Sequence, residues 1–331
     1  MNYKTLPKID LHCHLDGSVR PETLFELAVE RNIDVPNIEA LKKMLIAPET
    51  CQSLDEYLLR FDLPNQVMQD EISLERITFE LFEDSALENV KYLEVRFGPL
   101  LHVLKDLSIK QVLESVLRGM KRAEKQYDIT GGIILSVLRT MPKDRIDELL
   151  EIGADYLDKG IVAFDLASSE IADFCHEFKP YTDKAIELGY HITIHAGETG
   201  VGQNVYDAID LLGAERIGHG IYINGHEEAY ELVRDLDIVL EVCPTSNVQT
   251  KAVESISLHP IKDFYKDDLL VTINTDNRTV SDTTMTDEVK RTFETFDLTL
   301  EDYIVIYENS ITRAFTSEAN KKQLMTYLNH Y

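Results

Sequence analysis

Basic residues are scarce in this chain. Thirty-three lysines and arginines stand against 59 aspartates and glutamates, a formal net charge of -26 over 331 residues. A surface of that sign repels nucleic acid phosphates and anionic lipid headgroups. It argues against nucleic acid and membrane partners and leaves a small neutral substrate as the easier guest. Cysteine is scarce too. Cys13, Cys51, Cys175 and Cys243 are scattered without C-x-x-C spacing and read as reduced thiols of a cytosolic chain. No apolar run approaches the length of a transmembrane helix. The opening Met1-Asn2-Tyr3-Lys4 lacks the apolar stretch of a signal peptide, so the expected location is cytoplasmic. Low-complexity tracts and repeats of solenoid length are absent. No strand is followed by G-x-G-x-x-G, which weakens a dinucleotide-binding reading. Residues 197–202 are glycine-rich but carry Glu198 where a phosphate would sit.

What is present is an alternation. Short runs rich in Val, Ile, Leu, Phe and Tyr predict strands over 8–14, 90–97, 131–138, 161–167, 191–196, 215–219, 238–243 and 269–275. Helical spacing predicts a helix opened by Pro21 and others near 73–89, 109–127, 143–157, 180–188, 204–212, 226–235 and 286–296. Two more, near 300–315 and 317–329, close the chain. Eight strand–helix alternations predict an α/β chain, a parallel sheet closed into a (β/α)8 TIM-type barrel with extra C-terminal helices, as a single domain over 1–331. An open doubly wound sheet is the competing arrangement. Residues 37–72 interrupt the alternation and read as a helical lid insertion after the first strand. Ser53-Leu54-Asp55-Glu56 has a capping-box pattern, and Leu54, Tyr57, Leu58 and Phe61 share one apolar face. That stripe serves as ordinary core or as a lid over an apolar substrate.

The unusual residues collect where strands end. Ile9-Asp10-Leu11-His12-Cys13-His14-Leu15-Asp16-Gly17 runs apolar into a His-x-His pair, and strand alternation points His12 and His14 to one face. The fifth strand ends in Thr193-Ile194-His195-Ala196-Gly197-Glu198, the sixth in Ile217-Gly218-His219-Gly220, and the eighth in Ile273-Asn274-Thr275-Asp276-Asn277. In a parallel barrel these C-terminal ends meet on one face. A single buried histidine there has an ordinary structural explanation, but four histidines and three acids converging do not. Three histidine nitrogens and one aspartate oxygen suit a first-row divalent cation, zinc above all, with one position left for water. Such a cation lowers the pKa of its water toward about 7. If that water attacks an aromatic amidine carbon, the ring needs a proton donor. Glu198, in a glycine-flanked turn three residues past His195, is placed to be one, an acid at a helix start being its blander reading. His219, flanked by glycines that permit close approach, is placed to hold or deprotonate the water.

Together, HxHLDG, TIHAGE, IGHG, CPTSN (Cys243 to Asn247) and NTDN, in this order along nearly the whole chain, resemble the adenosine deaminase family of the amidohydrolase superfamily. The resemblance implies a hydrolase on a zinc-bearing barrel, with one Zn2+ per chain, that converts adenosine and 2'-deoxyadenosine to inosine and 2'-deoxyinosine. Ammonia is released, a purine salvage reaction. It implies His12, His14, His195 and Asp276 as metal ligands. It implies Glu198 as the donor to purine N1, His219 and Asp276 as the pair that orients and activates water, and Asp16 as a contact to the ribose 5'-hydroxyl. Leu54, Tyr57, Leu58 and Phe61 become the apolar lid over the nucleoside.

The chain departs from the family pattern twice. Asn277 stands where many members carry a second aspartate, which contacts purine N7; an amide donates there without needing a proton. Ser168 in Asp165-Leu166-Ala167-Ser168 stands where the family has glycine, whose N–H meets purine N3. These two positions keep open a related substrate such as adenine or a modified adenosine. A binuclear amidohydrolase is a further rival, but residues 161–170 lack the bridging lysine such sites use. A catalytically silent metal-binding barrel is the last.

Overall fold

The computed structural model describes residues 1–331, the side chain of His330 excepted. Eight parallel strands, β1 (Lys8–His14), β2 (Val90–Phe97), β3 (Thr130–Leu138), β4 (Ile161–Ala167), β5 (His191–Ala196), β6 (Arg216–His219), β7 (Val239–Val242) and β8 (Val271–Ile273), lie in sequence order in one sheet. Helices alternate with them, so the (β/α)8 expectation holds. Four strands, β1, β2, β4 and β5, begin and end where the sequence predicts.

Alternation along each strand sorts its residues. On β1, Ile9, Leu11 and Cys13 belong to the large apolar core, which lies between the strands and the surrounding helices. Asp10 and His12 are buried on the opposite, inner face. There the barrel is ionic rather than apolar. Glu241 accepts from Arg96 Nη2 at 2.6 Å and from Arg216 Nε at 2.6 Å, and Arg216 also pairs with Glu94. Phe315, which follows the helix Leu300–Arg313, lies beneath this layer with its ring 3.7 Å from the Arg216 guanidinium.

The seam between β8 and β1 is closed differently from the other strand pairs. Leu11 N–H donates to the Asn274 side chain at 2.9 Å, and Thr275 Oγ1 donates to Asp10 at 2.6 Å. Beyond them Asp276 N–H donates to the His12 carbonyl at 2.8 Å, and the Asp276 carbonyl accepts from His14 N–H at 2.6 Å.

Two helix expectations change. The helix expected near 180–188 spans Phe174–Leu188, with Pro180 inside it. Phe174, Cys175, Phe178, Thr182 and Ala185 form one buried face, and that packing outweighs the proline's preference for a first turn. Two short helices, Pro244–Gln249 and Ile261–Lys266, fall where none is expected. In the insertion, helix Ile38–Leu45 stands apart, while Leu54–Leu58 and Asp62–Val67 are joined directly by a 3-10 turn over Leu59–Phe61. Ser53 accepts from Glu56 N–H at 3.2 Å, but the Glu56 carboxylate turns to Gln52 N–H, so the capping box is half formed. No helix among the described residues is long and apolar enough to cross a membrane.

Candidate active site

The C-terminal strand ends assemble the site. His12 and His14 come from β1, His195 from β5, His219 from β6, and Asp276 from the turn after β8. His219 and Asp276 adopt left-handed backbone conformations, φ +65° and +58°. Such strain in non-glycine residues persists only where the surroundings enforce it. Gly218, just before His219, packs so closely that a Cβ there would lie 2.9 Å from His12 Cε1. The glycines of IGHG thus let the sixth strand approach the first.

The donor atoms converge on one point. His12 Nδ1–H donates to Glu241 at 2.9 Å, which turns Nε2 inward. His195 Nδ1–H donates likewise to Asp165 at 2.9 Å. His14 Nε2 faces His195 Nε2 at 3.1 Å and Asp276 Oδ1 at 3.3 Å, and His12 Nε2 lies 3.4 Å from Asp276 Oδ1. Ligands bound at about 2.0–2.1 Å to a tetrahedral ion stand roughly 3.3 Å apart, so these separations fit the edges of such a site. His12 Nε2 is buried without a hydrogen-bond partner, an orphan that a cation would satisfy. Burial and Arg96 disfavour charge on His12, but the Asp276 and Glu241 carboxylates beside its ring outweigh them and raise its pKa, so positive charge is drawn here. Burial keeps His14 and His195 neutral, the form in which imidazole binds metals. His219 also belongs to the cluster: with His12, His195 and Asp276 it offers one atom within 4.8 Å of the others.

A cavity of about 230 Å³ opens over this cluster. His14, Asp16, Ser168, His195, Glu198, His219, Asp276 and Asn277 line its polar side, and Leu54, Tyr57, Leu58 and Phe61 cover the other. Every substrate-contacting candidate from the sequence is therefore brought to one space, while His12 lies behind it. Asp62, Asn65, Leu101, Leu138 and Ala167 also line it and were not anticipated. The charged residues of this lining are Asp16, Asp62, Glu198 and Asp276, with no lysine or arginine among them.

Electrostatics separates the carboxyls. Burial, reinforced by Asp276 and Glu170, holds Glu198 well above the usual carboxyl range and so favours its protonated form. Its Oε2 lies 3.6 Å from His219 Nε2. Burial also acts on Asp276, but the hydrogen bond from His12 and the neighbouring histidines outweigh it and hold that carboxylate low. Burial raises Asp16 to about 6, and its Oδ1 has no hydrogen-bond partner.

Several supporting residues escaped the sequence reading. The Glu170 carboxylate gathers the N–H groups of Gly197, Glu198 and Thr199 at 2.7, 2.9 and 3.0 Å and so shapes the turn that carries Glu198. Arg139 donates to the carbonyls of Ser168, Leu166 and His195, tying the fourth strand end to the fifth. Ser168 sits at φ +77°, the conformation that favours glycine. The only local signal for these roles was their proximity in sequence to the motifs.

The family model described as Adenosine deaminase matches residues 7–331. An adenosine deaminase of Vibrio vulnificus (strain YJ016) is 65% identical over 99% of both chains. Among solved structures, an adenine deaminase from Arthrobacter aurescens superposes with a TM-score of 0.90 at 25% identity, covering 98% of each chain. The N6-methyl-AMP deaminase of Arabidopsis thaliana superposes at 0.87 and 28%, covering 99% of this chain and 97% of that one. The chain belongs to the adenosine deaminase family.

Proposed function

We propose that this member of the adenosine deaminase family hydrolyses adenosine and 2'-deoxyadenosine to inosine and 2'-deoxyinosine, releasing ammonia. The observation that carries the reading is a buried carboxyl, Glu198, facing a three-histidine and aspartate cluster across a small cavity, where burial favours its protonated form. The full-length match to a relative named adenosine deaminase at 65% identity supports the same substrate.

His12, His14, His195 and Asp276 hold one zinc ion, and when bound it activates water at neutral pH. Glu198 donates its proton to purine N1, which makes C6 electrophilic. Asp276 accepts the proton of the attacking water, and His219 orients that water. A bond forms from the water oxygen to C6, the amino group takes the proton held by Asp276, and the C6–N bond breaks to release ammonia. The C6 hydroxyl gives up its remaining proton, directly or through solvent, to return Glu198 to its acid form, and inosine keeps the proton on N1. The unpartnered Asp16 Oδ1 accepts from the ribose 5'-hydroxyl, the Ser168 N–H meets N3, and the Asn277 amide donates to N7. Leu54, Tyr57, Leu58 and Phe61 exclude water from the purine.

The acidic lining bears on substrate choice. The lining offers no lysine or arginine to pair with a phosphate monoester, and Asp16 and Asp62 add carboxyl groups beside it, which favours nucleoside over nucleotide. Ser168 and Asn277 favour a second reading, deamination of a related aminopurine such as adenine or a neutral modified adenosine. Ultraviolet assays on adenosine, deoxyadenosine, adenine and AMP, with a metal count, test both. Fast adenosine turnover with little on AMP is expected, and no conversion of adenosine to inosine overturns the first reading.

A further inference from the structure

We propose that Asn247 and His259 are positioning residues that fix His219 with its proton on Nε2, making it a hydrogen-bond donor to the reacting water rather than a metal ligand or a base.

A backbone N–H, which can only donate, fixes the outer end of this chain of hydrogen bonds. The backbone N–H of Ile261 points at His259 Nδ1 at 3.1 Å, so that nitrogen carries a lone pair. Burial keeps the imidazole of His259 neutral, so its proton is on Nε2. His259 Nε2 faces Asn247 Oδ1 at 3.2 Å and donates to it. The other end of the same amide is then Nδ2, a donor, 3.0 Å from His219 Nδ1. His219 Nδ1 is therefore an acceptor. With Nδ1 accepting, the ring carries its proton on Nε2, the atom that faces Glu198 across 3.6 Å. All three side chains are buried, so water does not scramble the chain of donors.

This assigns a task to the end of the CPTSN motif and to a histidine on neither side of the cavity. It also resolves the crowding of five candidate donors around one cation. His14 and His219 both lie within reach, but a nitrogen that carries a proton does not coordinate a metal. His14 completes the ligand set, and Asp276 is left as the acceptor of the water's proton. The role in turnover rests on the deaminase reading above; the tautomer itself does not.

The test uses the full chain labelled with 15N-histidine, metal-free and zinc-loaded, with His219 resonances assigned by their loss in His219→Gln. Wild type is expected to show a protonated Nε2 and an unprotonated Nδ1. Asn247→Asp keeps the shape but offers only acceptor oxygens to both histidines, so the His219 proton is expected to move to Nδ1. With it kcat on adenosine falls about 10²-fold while KM changes less than about threefold, the low end of what acid–base groups contribute. Asn247→Ala, which imposes neither direction, is expected to mix the two tautomers. An Nδ1–H tautomer in wild type overturns the inference, and that measurement stands even if the variants do not fold. So does a fall in kcat in Asn247→Asp without a change of tautomer, since Asn247 then acts by packing alone. Failure to turn over adenosine with the expected tautomer intact counts against the substrate, not against the relay.

Discussion

Gly17 offers a sharp test of how the first strand end and the last are fitted together. A Cβ on Gly17 would lie 1.9 Å from Asn277 Oδ1, 2.6 Å from its Cγ and 2.8 Å from its Cβ. Rotating the Asn277 side chain relieves the first two contacts and leaves the third. Gly17→Ala therefore pushes on the Asn277 backbone. That backbone is pinned by its own bonds, Ser281 N–H to the Asn277 carbonyl at 2.8 Å among them, and by Asp276 one residue before. Overpacking of this kind costs about 1–3 kcal/mol. Because the shift reaches Asp276, a displacement approaching 1 Å lowers kcat/KM by about 10²-fold. Thermal unfolding and steady-state turnover of adenosine read the two effects. The geometry also dictates a cycle. In an Asn277→Ala background the Cβ remains, and Gly17→Ala still destabilises. In an Asn277→Gly background it is gone, and most of the stability cost disappears. An equal cost in all three backgrounds, or none in the first, refutes the steric account.

Other perturbations follow from the same geometry. Glu198→Gln keeps the hydrogen-bonding shape but removes the proton donor, and kcat is expected to fall by about 10²–10⁴-fold with the metal content unchanged; near-normal turnover removes Glu198 from that role. The same variant has a stability signature. The folded pKa of Glu198 lies above its unfolded value, so its contribution is fully present below the unfolded pKa and is lost as pH rises through the folded one. The variant is thus expected to gain stability over wild type in alkaline denaturant titrations and to show no gain at pH 4; the opposite trend contradicts a protonated buried carboxyl. Ser168→Gly relieves the left-handed serine and is expected to stabilise the fold by about 1 kcal/mol in urea titrations, a destabilisation counting against strain at φ +77°. Chelation is expected to abolish turnover, and one equivalent of zinc to restore it, whereas two metals per chain by elemental analysis contradict a mononuclear site. Glu241→Gln weakens the partner of His12, Arg96 and Arg216 together and is expected to cost about 3–5 kcal/mol by chemical denaturation.

Much of the fold was legible because a strand covered on both faces writes a continuous apolar run, bounded by polar turns. β1 was legible for a second reason: Asp10, His12 and His14 alternate with Ile9, Leu11 and Cys13, so the inward face announces itself. The cavity lining was legible through motifs at strand ends. The residues behind it were not. Glu94, Arg96, Arg216 and Glu241 read in sequence as charges interrupting strands, and only closure of the barrel brings Arg96 to Glu241 across 145 positions. Asn247 and His259 lie on or beside six-residue helices, too short to show a period. Pro180 misled because its chemistry suits a first turn, while the buried face formed by Phe174, Phe178 and Ala185 extends the helix past it on the N-terminal side.

The seam joins these observations. β8 is only three residues long, and the chain past it binds β1 through side chains and through the backbone of Asp276. The residue that closes the barrel is the residue that presents its carboxylate to His12 and His14. Its left-handed backbone, a strain of about 1–3 kcal/mol, is held by the bonds of Asp276 N–H to His12 and of His14 N–H to Asp276. Strand register therefore fixes the backbone from which Asp276 Oδ1 reaches His12 Nε2. Asp10 adds to this from below, since it takes Thr275 Oγ1–H and lies two residues before His12, the histidine that Asp276 meets. A site assembled on a seam is rigid for the same reason that the barrel is closed, and preorganised charges of this kind need no reorganisation when the reaction begins.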